Sequence, residues 1–386
     1  MVSCVITAAH RAVVGSGAGS VGEYLQRTMT GAGTTSPRGG GSETQRDTQL
    51  WHRPSTPPST IGPWLPEGEL GLALSAGLLR VESALATAVA SDHSFVSEAA
   101  GHLMAAGGKR FRPMLALLAA QLGNGEADEV VSAAVVCELT HLATLYHDDV
   151  MDEASVRRGA PSANSRWSNS VAILTGDFLF ARASDLLADL GPEAVRVQAK
   201  TFERLVTGQL RETVGAGPGE DPVDHYLGVL ADKTGSLVAT SARFGATFAG
   251  APAELVAALT AFGEEVGVAF QLSDDLIDIV SEGGASGKLP GTDLREGIAT
   301  LPVLFALAGD DPAEVRLREL VAGPVVDDAE HAEALALLRS SASLARATAV
   351  LNDYADRARA RLAAVPEGPV REALSALCTY VVTRTS

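Results

Sequence analysis

Two acidic runs share one pattern, Asp148-Asp149-Val150-Met151-Asp152 and Asp274-Asp275-Leu276-Ile277-Asp278. Residues four apart on a helix lie on one face, about one turn from each other. Asp148 with Asp152, and Asp274 with Asp278, therefore each project two carboxylates in one direction. Carboxylates crowded in this way repel. A hard divalent cation between them relieves the repulsion, and Mg2+ favours such oxygen ligands together with phosphate oxygens and water. In a chain with 47 acidic residues, one run of this kind reads as a solvated helix face. Two runs, preceded by the apolar stretches 142–146 and 266–272, are poorly suited to that role. Two such clusters facing each other above an apolar cavity can hold a diphosphate through metal ions, head up and tail down.

Cationic groups accompany them. Gly107-Gly108-Lys109-Arg110-Phe111-Arg112-Pro113 sets three cations within four residues after a diglycine, just ahead of an apolar helix. Arg157-Arg158-Gly159 follows the first acidic run by five residues. His141 precedes Asp148 by seven residues, about two turns, and so shares roughly its face. Singly, these read as a surface turn and an ordinary half-buried histidine. Together, Lys109, Arg112, His141 and Arg158 can bind one diphosphate directly while the aspartates bind another through metal. Two diphosphate sites imply two substrates. A condensing enzyme needs both, whereas a terpene cyclase ionises a single diphosphate.

The elements that must position these groups read as helices. Hydrophobic residues make up 46% of the 386 and aromatics only 5%, a mixture suited to close-packed helices rather than sheets. Apolar periodicity between Gly, Pro and Asp punctuation predicts helices over 68–91, 93–106, 111–122, 127–152, 168–189, 192–213, 222–249, 252–281 and 300–307. Nothing alternates convincingly as a strand. Beyond about Glu319 the pattern is helical but carries no evident chemistry. Residues 1–64, rich in Gly, Ser, Thr and Pro, are expected to be a disordered extension of the catalytic domain at 65–386. The formal charge of −17 argues against a nucleic-acid partner. Three scattered cysteines, Cys4, Cys137 and Cys378, suit a reducing cytoplasm. No uninterrupted apolar run approaches the ~20 residues of a membrane span, so no transmembrane segment is expected.

With these residues in place, the chain resembles the trans-prenyltransferase, or polyprenyl synthetase, family over roughly residues 66–320. The stretches that carry the resemblance are GGKRFRP, ELTHLATLYHDDVMDEASVRRG, GDFLFARASDL, KTGSL from Lys233, GVAFQLSDDLIDIVSEGGASGK ending at Lys288, and GTDLREGIATLP from Gly291. The resemblance implies an all-α fold, an antiparallel helical bundle around a deep apolar cavity. It implies a homodimer that joins isopentenyl diphosphate to an allylic diphosphate with three Mg2+ per site. Lys109, Arg112, His141 and Arg158 are similar to ligands of isopentenyl diphosphate. Arg157, Lys233, Thr234, Gln271 and Lys288 are similar to ligands of the allylic diphosphate. Asp148, Asp152 and Asp274 match the direct metal ligands, with Asp149, Asp275 and Asp278 in support. Ile298 departs from the pattern, since many relatives carry lysine there.

Product length is expected to depend on residues one turn before Asp148, here Ala143 and Thr144. Relatives that make short products often place aromatics at this level. The small residues predict an open path and a product of C20 or longer, a long all-trans polyprenyl diphosphate suited to a quinone side chain. Tyr146 points away from that path by its helical angle, whereas Phe178 and Phe270 are candidate cavity walls. The alternatives are a geranylgeranyl diphosphate synthase and, from a different class, a catalytically silent subunit of a heteromeric synthase.

Overall fold

The structure is a computed structural model that describes residues 66–281 and 290–384. The expected extension at 1–64 and Lys288 lie outside the described residues. Helices dominate, in the order α1 Glu69–Ala88, α2 Ser94–Ala105, α3 Phe111–Ala120, α4 Asp128–Met151, α5 Ala163–Arg166, α6 Asn169–Leu190, α7 Pro192–Val214 and α8 Pro222–Leu230. A π-helical turn, Ala231–Gly235, joins α8 to α9 Ser236–Phe248, and α10 Ala253–Val280 follows. The remainder is α11 Thr292–Glu296, α12 Leu301–Ala308, α13 Val315–Leu320, α14 Asp328–Arg339, α15 Ala342–Arg361 and α16 Pro369–Thr383.

The long helices lie within a residue or three of the expected bounds because their ends are written in capping chemistry. Ser168 accepts from Val171 N at the start of α6, and Asp221 accepts from Val223 N and Asp224 N at the start of α8, where Pro222 supplies a first residue that needs no donor. Gly191, at φ 97°, ends α6 and starts α7 in one residue. Three features differ from expectation. A two-residue hairpin pairs β1 Val156–Arg157 with β2 Ala160–Pro161, too short to show a strand period. The expected helix over 222–249 is broken by the π turn. Short helices, α11 and α13, also stand on either side of the expected helix over 300–307.

The core is one large apolar cluster running through α1, α3, α4, α9, α10, α15 and α16, with smaller ones under α12 to α14 and between α4, α6, α7 and α9. Small residues let the central helices approach closely. A Cβ on Gly245 of α9 would lie 2.0 Å from the Ala116 carbonyl oxygen of α3, and one on Gly267 of α10 would lie 2.9 Å from Gly235 Cα. Contrary to the expectation that no run approaches a membrane span, α1, α4 and α10 are long and apolar enough to cross one by length and averaged composition. Of that stretch of α4, 72% is buried inside the bundle. Cys137 and Cys378 are buried and free.

Candidate active site

The acidic runs occupy the C-terminal ends of α4 and α10, where a long apolar helix emerges from the core. Asp148 is half-buried; burial pushes its carboxyl up to about 6, with Lys233 opposing and Asp152 adding to the shift. Asp275 is likewise pushed up to about 6 by burial, against hydrogen bonds from the Tyr226 hydroxyl and from Gln271 Nε2 at 3.0 Å. The carboxylate of Glu212, on α7, raises both Asp148 and Asp275, so the two runs share one electrostatic neighbourhood. Lys233 is drawn into it by an ion pair with Glu212 at 2.5 Å. Lys233 and Thr234 sit on the π turn, and Thr234 Oγ1 donates to Gln271 Oε1 at 3.2 Å. Three of the residues expected around one diphosphate are thus connected through two helices.

Asp149 has a different setting from its neighbours. It is fully buried, and its carboxylate accepts from Arg157 Nε at 2.5 Å. Burial raises its carboxyl and the Arg157 hydrogen bond opposes this. Arg157 reaches Asp152 at 3.8 Å with its other arm. Asp149 therefore anchors Arg157 rather than facing outward. Asp278 accepts from the Asp293 backbone N–H at 3.2 Å and its own carbonyl from Gly291 N at 2.7 Å, which ties α10 to α11.

The basic groups gather at the N-terminal end of α3. Arg158, at φ 54°, donates to the carbonyls of Leu103 and Gly107, and Arg112 has a buried Nε without a hydrogen-bond partner. Burial lowers both guanidinium pKa values, and Glu138 opposes it in each. His141 is held well below the usual histidine range by burial and then by Arg112, Arg158 and Arg110, so its imidazole is neutral. Asp274 also acts on Arg112, which brings this pocket within electrostatic reach of the second acidic run. Lys109 is exposed at the edge.

Ala143 is fully buried where α6 comes closest to α4, its carbonyl oxygen 3.1 Å from the position of a Cβ on Gly176. Thr144 turns its hydroxyl back onto the His141 carbonyl at 2.8 Å. Tyr146 is buried, with its hydroxyl donating to the Ala99 carbonyl of α2 at 2.5 Å. Phe270 stacks on Phe111 at 4.8 Å, and Phe178 is half-buried against the core.

Five contributors were not singled out from sequence. Glu212, Tyr226 and Arg384 carry no local signal. Arg384 Nη1 pairs with Asp274 at 2.9 Å, its Nε donates to Ser273 Oγ at 2.7 Å, and its guanidinium covers the Phe270 ring at 4.0 Å. The C-terminal stretch, read as helical without chemistry, thus delivers a cation to the second acidic run. Glu138 was findable, as a lone acid three residues before His141 in an otherwise apolar helix. Arg110 stood inside a quoted motif.

Among the described residues no three His, Cys, Asp or Glu side chains converge as a closed metal cage. What the site offers is two open carboxylate clusters in partly desolvated surroundings. That donor set fits a hard divalent cation which completes its shell with phosphate oxygens and water.

A model described as Polyprenyl synthetase matches residues 93–338. The nonaprenyl diphosphate synthase of Mycobacterium tuberculosis is 53% identical over 330 residues, covering 85% of this chain and 98% of its own. The heptaprenyl diphosphate synthase component 2 of Geobacillus stearothermophilus is 39% identical, covering 80% and 96%. Among solved structures, a geranylgeranyl pyrophosphate synthase from Corynebacterium glutamicum, complexed with calcium and isoprenyl diphosphate, superposes with a TM-score of 0.76 at 47% identity, covering 83% and 99%. The chain belongs to the polyprenyl synthetase family.

Proposed function

We propose that this chain is an all-trans polyprenyl diphosphate synthase that condenses isopentenyl diphosphate with an allylic diphosphate. The observation that carries the reading is the pairing of two open carboxylate clusters with a separate, buried arginine pocket. One diphosphate is held through metal by Asp148, Asp152 and Asp274, with Arg157, Lys233, Thr234 and Gln271 beside it. The other is held directly by Lys109, Arg112, His141 and Arg158. Neutral His141 donates one hydrogen bond, while the guanidinium groups supply charge.

The allylic C–O bond breaks, and pyrophosphate leaves toward Arg157 and Lys233. The chemistry supplied by bound Mg2+, three ions per site, is neutralisation of that leaving group. The double bond of isopentenyl diphosphate then attacks the allylic carbon, a C–C bond forms, and a proton passes to the released pyrophosphate. The stacked Phe111 and Phe270 rings, the latter covered by Arg384, supply apolar wall beside the site.

The tail path is assigned to the side of Ala143 and Thr144, whose own side chains are small, and the product to C20 or beyond. The nonaprenyl relative supports a long product, and the geranylgeranyl neighbour defines the alternative. We further assign a homodimer, supported by the exposed stripe of Val195, Val206, Leu210 and Val214 along α7, and a cytoplasmic setting, supported by the two free buried cysteines.

The test is an assay of the purified chain with Mg2+, labelled isopentenyl diphosphate and farnesyl diphosphate, with products resolved by length. A metal-dependent ladder beyond C20 is expected; a single C20 product selects the geranylgeranyl alternative. The Asp148→Ala/Asp152→Ala double variant is expected to lose at least about 1,000-fold in rate while keeping its helical content, and undiminished turnover would refute the assignment. No condensation by the wild-type chain alone would favour a silent subunit.

A further inference from the structure

Arg110 is the cation of the GGKRFRP segment that does not reach the pocket. It caps α3 in the left-handed conformation, at φ 46° and ψ 35°, and is 5% exposed. Its Nε donates to Glu82 Oε1 of α1 at 2.6 Å, its Nη1 to Glu138 Oε1 of α4 at 3.1 Å, and its Nη2 to the Met104 carbonyl of α2 at 3.3 Å. Four helices therefore meet at one guanidinium. Gly108 makes room for it, since a Cβ there would lie 2.8 Å from Arg110 Nη1 and 2.9 Å from Arg158 Nη1.

Glu138 is 2% exposed and interacts with Arg110, Arg112 and Arg158 alike. Its hydrogen bond goes to Arg110. Arg112 keeps a buried Nε without a partner, and Arg158 donates to neutral carbonyls. A carboxylate released from Arg110 would find Arg112 and Arg158 as its nearest cations. Neutralised by Glu138, those two would lose their hold on a diphosphate.

We propose that Arg110 is a positioning residue for the isopentenyl diphosphate pocket: it sequesters Glu138, leaving Arg112 and Arg158 available to the substrate, and fixes the turn that carries Lys109. This rests on the pocket assignment given above. Arg110 itself touches no substrate, and the diphosphate is bound by the cations on either side of it.

The experiment is steady-state kinetics in each substrate, with isopentenyl diphosphate binding followed by calorimetry. Arg110→Ala is expected to raise KM for isopentenyl diphosphate at least about tenfold, the scale of one charge-assisted hydrogen bond, and KM for the allylic substrate less than about twofold. The Arg110→Ala/Glu138→Gln variant is expected to recover most of the loss, because the quenching charge is gone. A purely structural loss would raise both KM values together, so the one-sided rise is what separates the two roles. An equal rise in both KM values, or no recovery in the double variant, overturns the proposal. If Arg110→Ala does not fold, Arg110→Lys, which lacks the planar fork, is expected to show the same one-sided rise, and wild-type behaviour overturns the proposal. Arg112→Ala separates the two levels. If it leaves KM for isopentenyl diphosphate unchanged, the pocket assignment falls and this proposal with it; if it raises that KM while Arg110→Ala does not, the proposal alone falls.

Discussion

His141 is partly buried among guanidinium groups, so it discriminates against its own proton. In the unfolded chain the imidazole takes up a proton below about pH 6.5, whereas in the folded free enzyme it does not. Its contribution to stability is therefore fully present above that pH and is lost progressively as the pH falls from there toward the depressed folded value. Denaturant titrations at pH 7.5 and 5.5 are expected to show a smaller acid-side loss in His141→Asn than in the wild type, and identical slopes would contradict the buried, neutral imidazole. The acidic runs were legible because a spacing of four plus apolar flanks is local information. The partners of Arg110 and Asp149 were not, because Glu82 lies 28 residues from Arg110 and the hairpin that returns Arg157 to Asp149 is too short to leave a period.

Helices α3, α9 and α10 are held at a separation that glycine permits. Gly245→Ala would drive a methyl group into the Ala116 carbonyl at 2.0 Å, a backbone contact that no rotamer change relieves. A loss of about 1–3 kcal/mol is expected, at the upper end because backbone must move, with Tm falling about 2–4 °C per kcal/mol. Thermal unfolding of the variant checks this, and an unchanged Tm would mean the helices are less closely packed. Helix bounds were legible wherever a cap or a Gly-Pro pair marked an end. The interruption at 231–235 was not, since Ala-Asp-Lys-Thr-Gly contains no proline to mark a break and nothing in it announces an extra residue.

The whole molecule closes on its site from the far end of the chain. α16 ends at Thr383, and the next residue, Arg384, supplies Asp274 with a cation. A divalent ion bound by Asp274 must compete with that guanidinium. Arg384→Ala is expected to lower the Mg2+ concentration for half-maximal rate roughly threefold and to tighten Mn2+ binding measured without substrate; weaker binding would show that Arg384 supports the site rather than opposing the ion. Sequence could not pair two residues 110 positions apart, although the stretch beyond Glu319 reads as helical in its own periodicity. The π turn carries a constraint of another kind, on descent. Deleting one residue from 231–235 would restore a regular helix but rotate everything after it by about 100°. Val238 and Ala239 would leave the glycines of α10 against which they nest, and Gly245 would leave α3. Losing that residue would cost all these contacts in one step, so the turn resists deletion like the pawl of a ratchet.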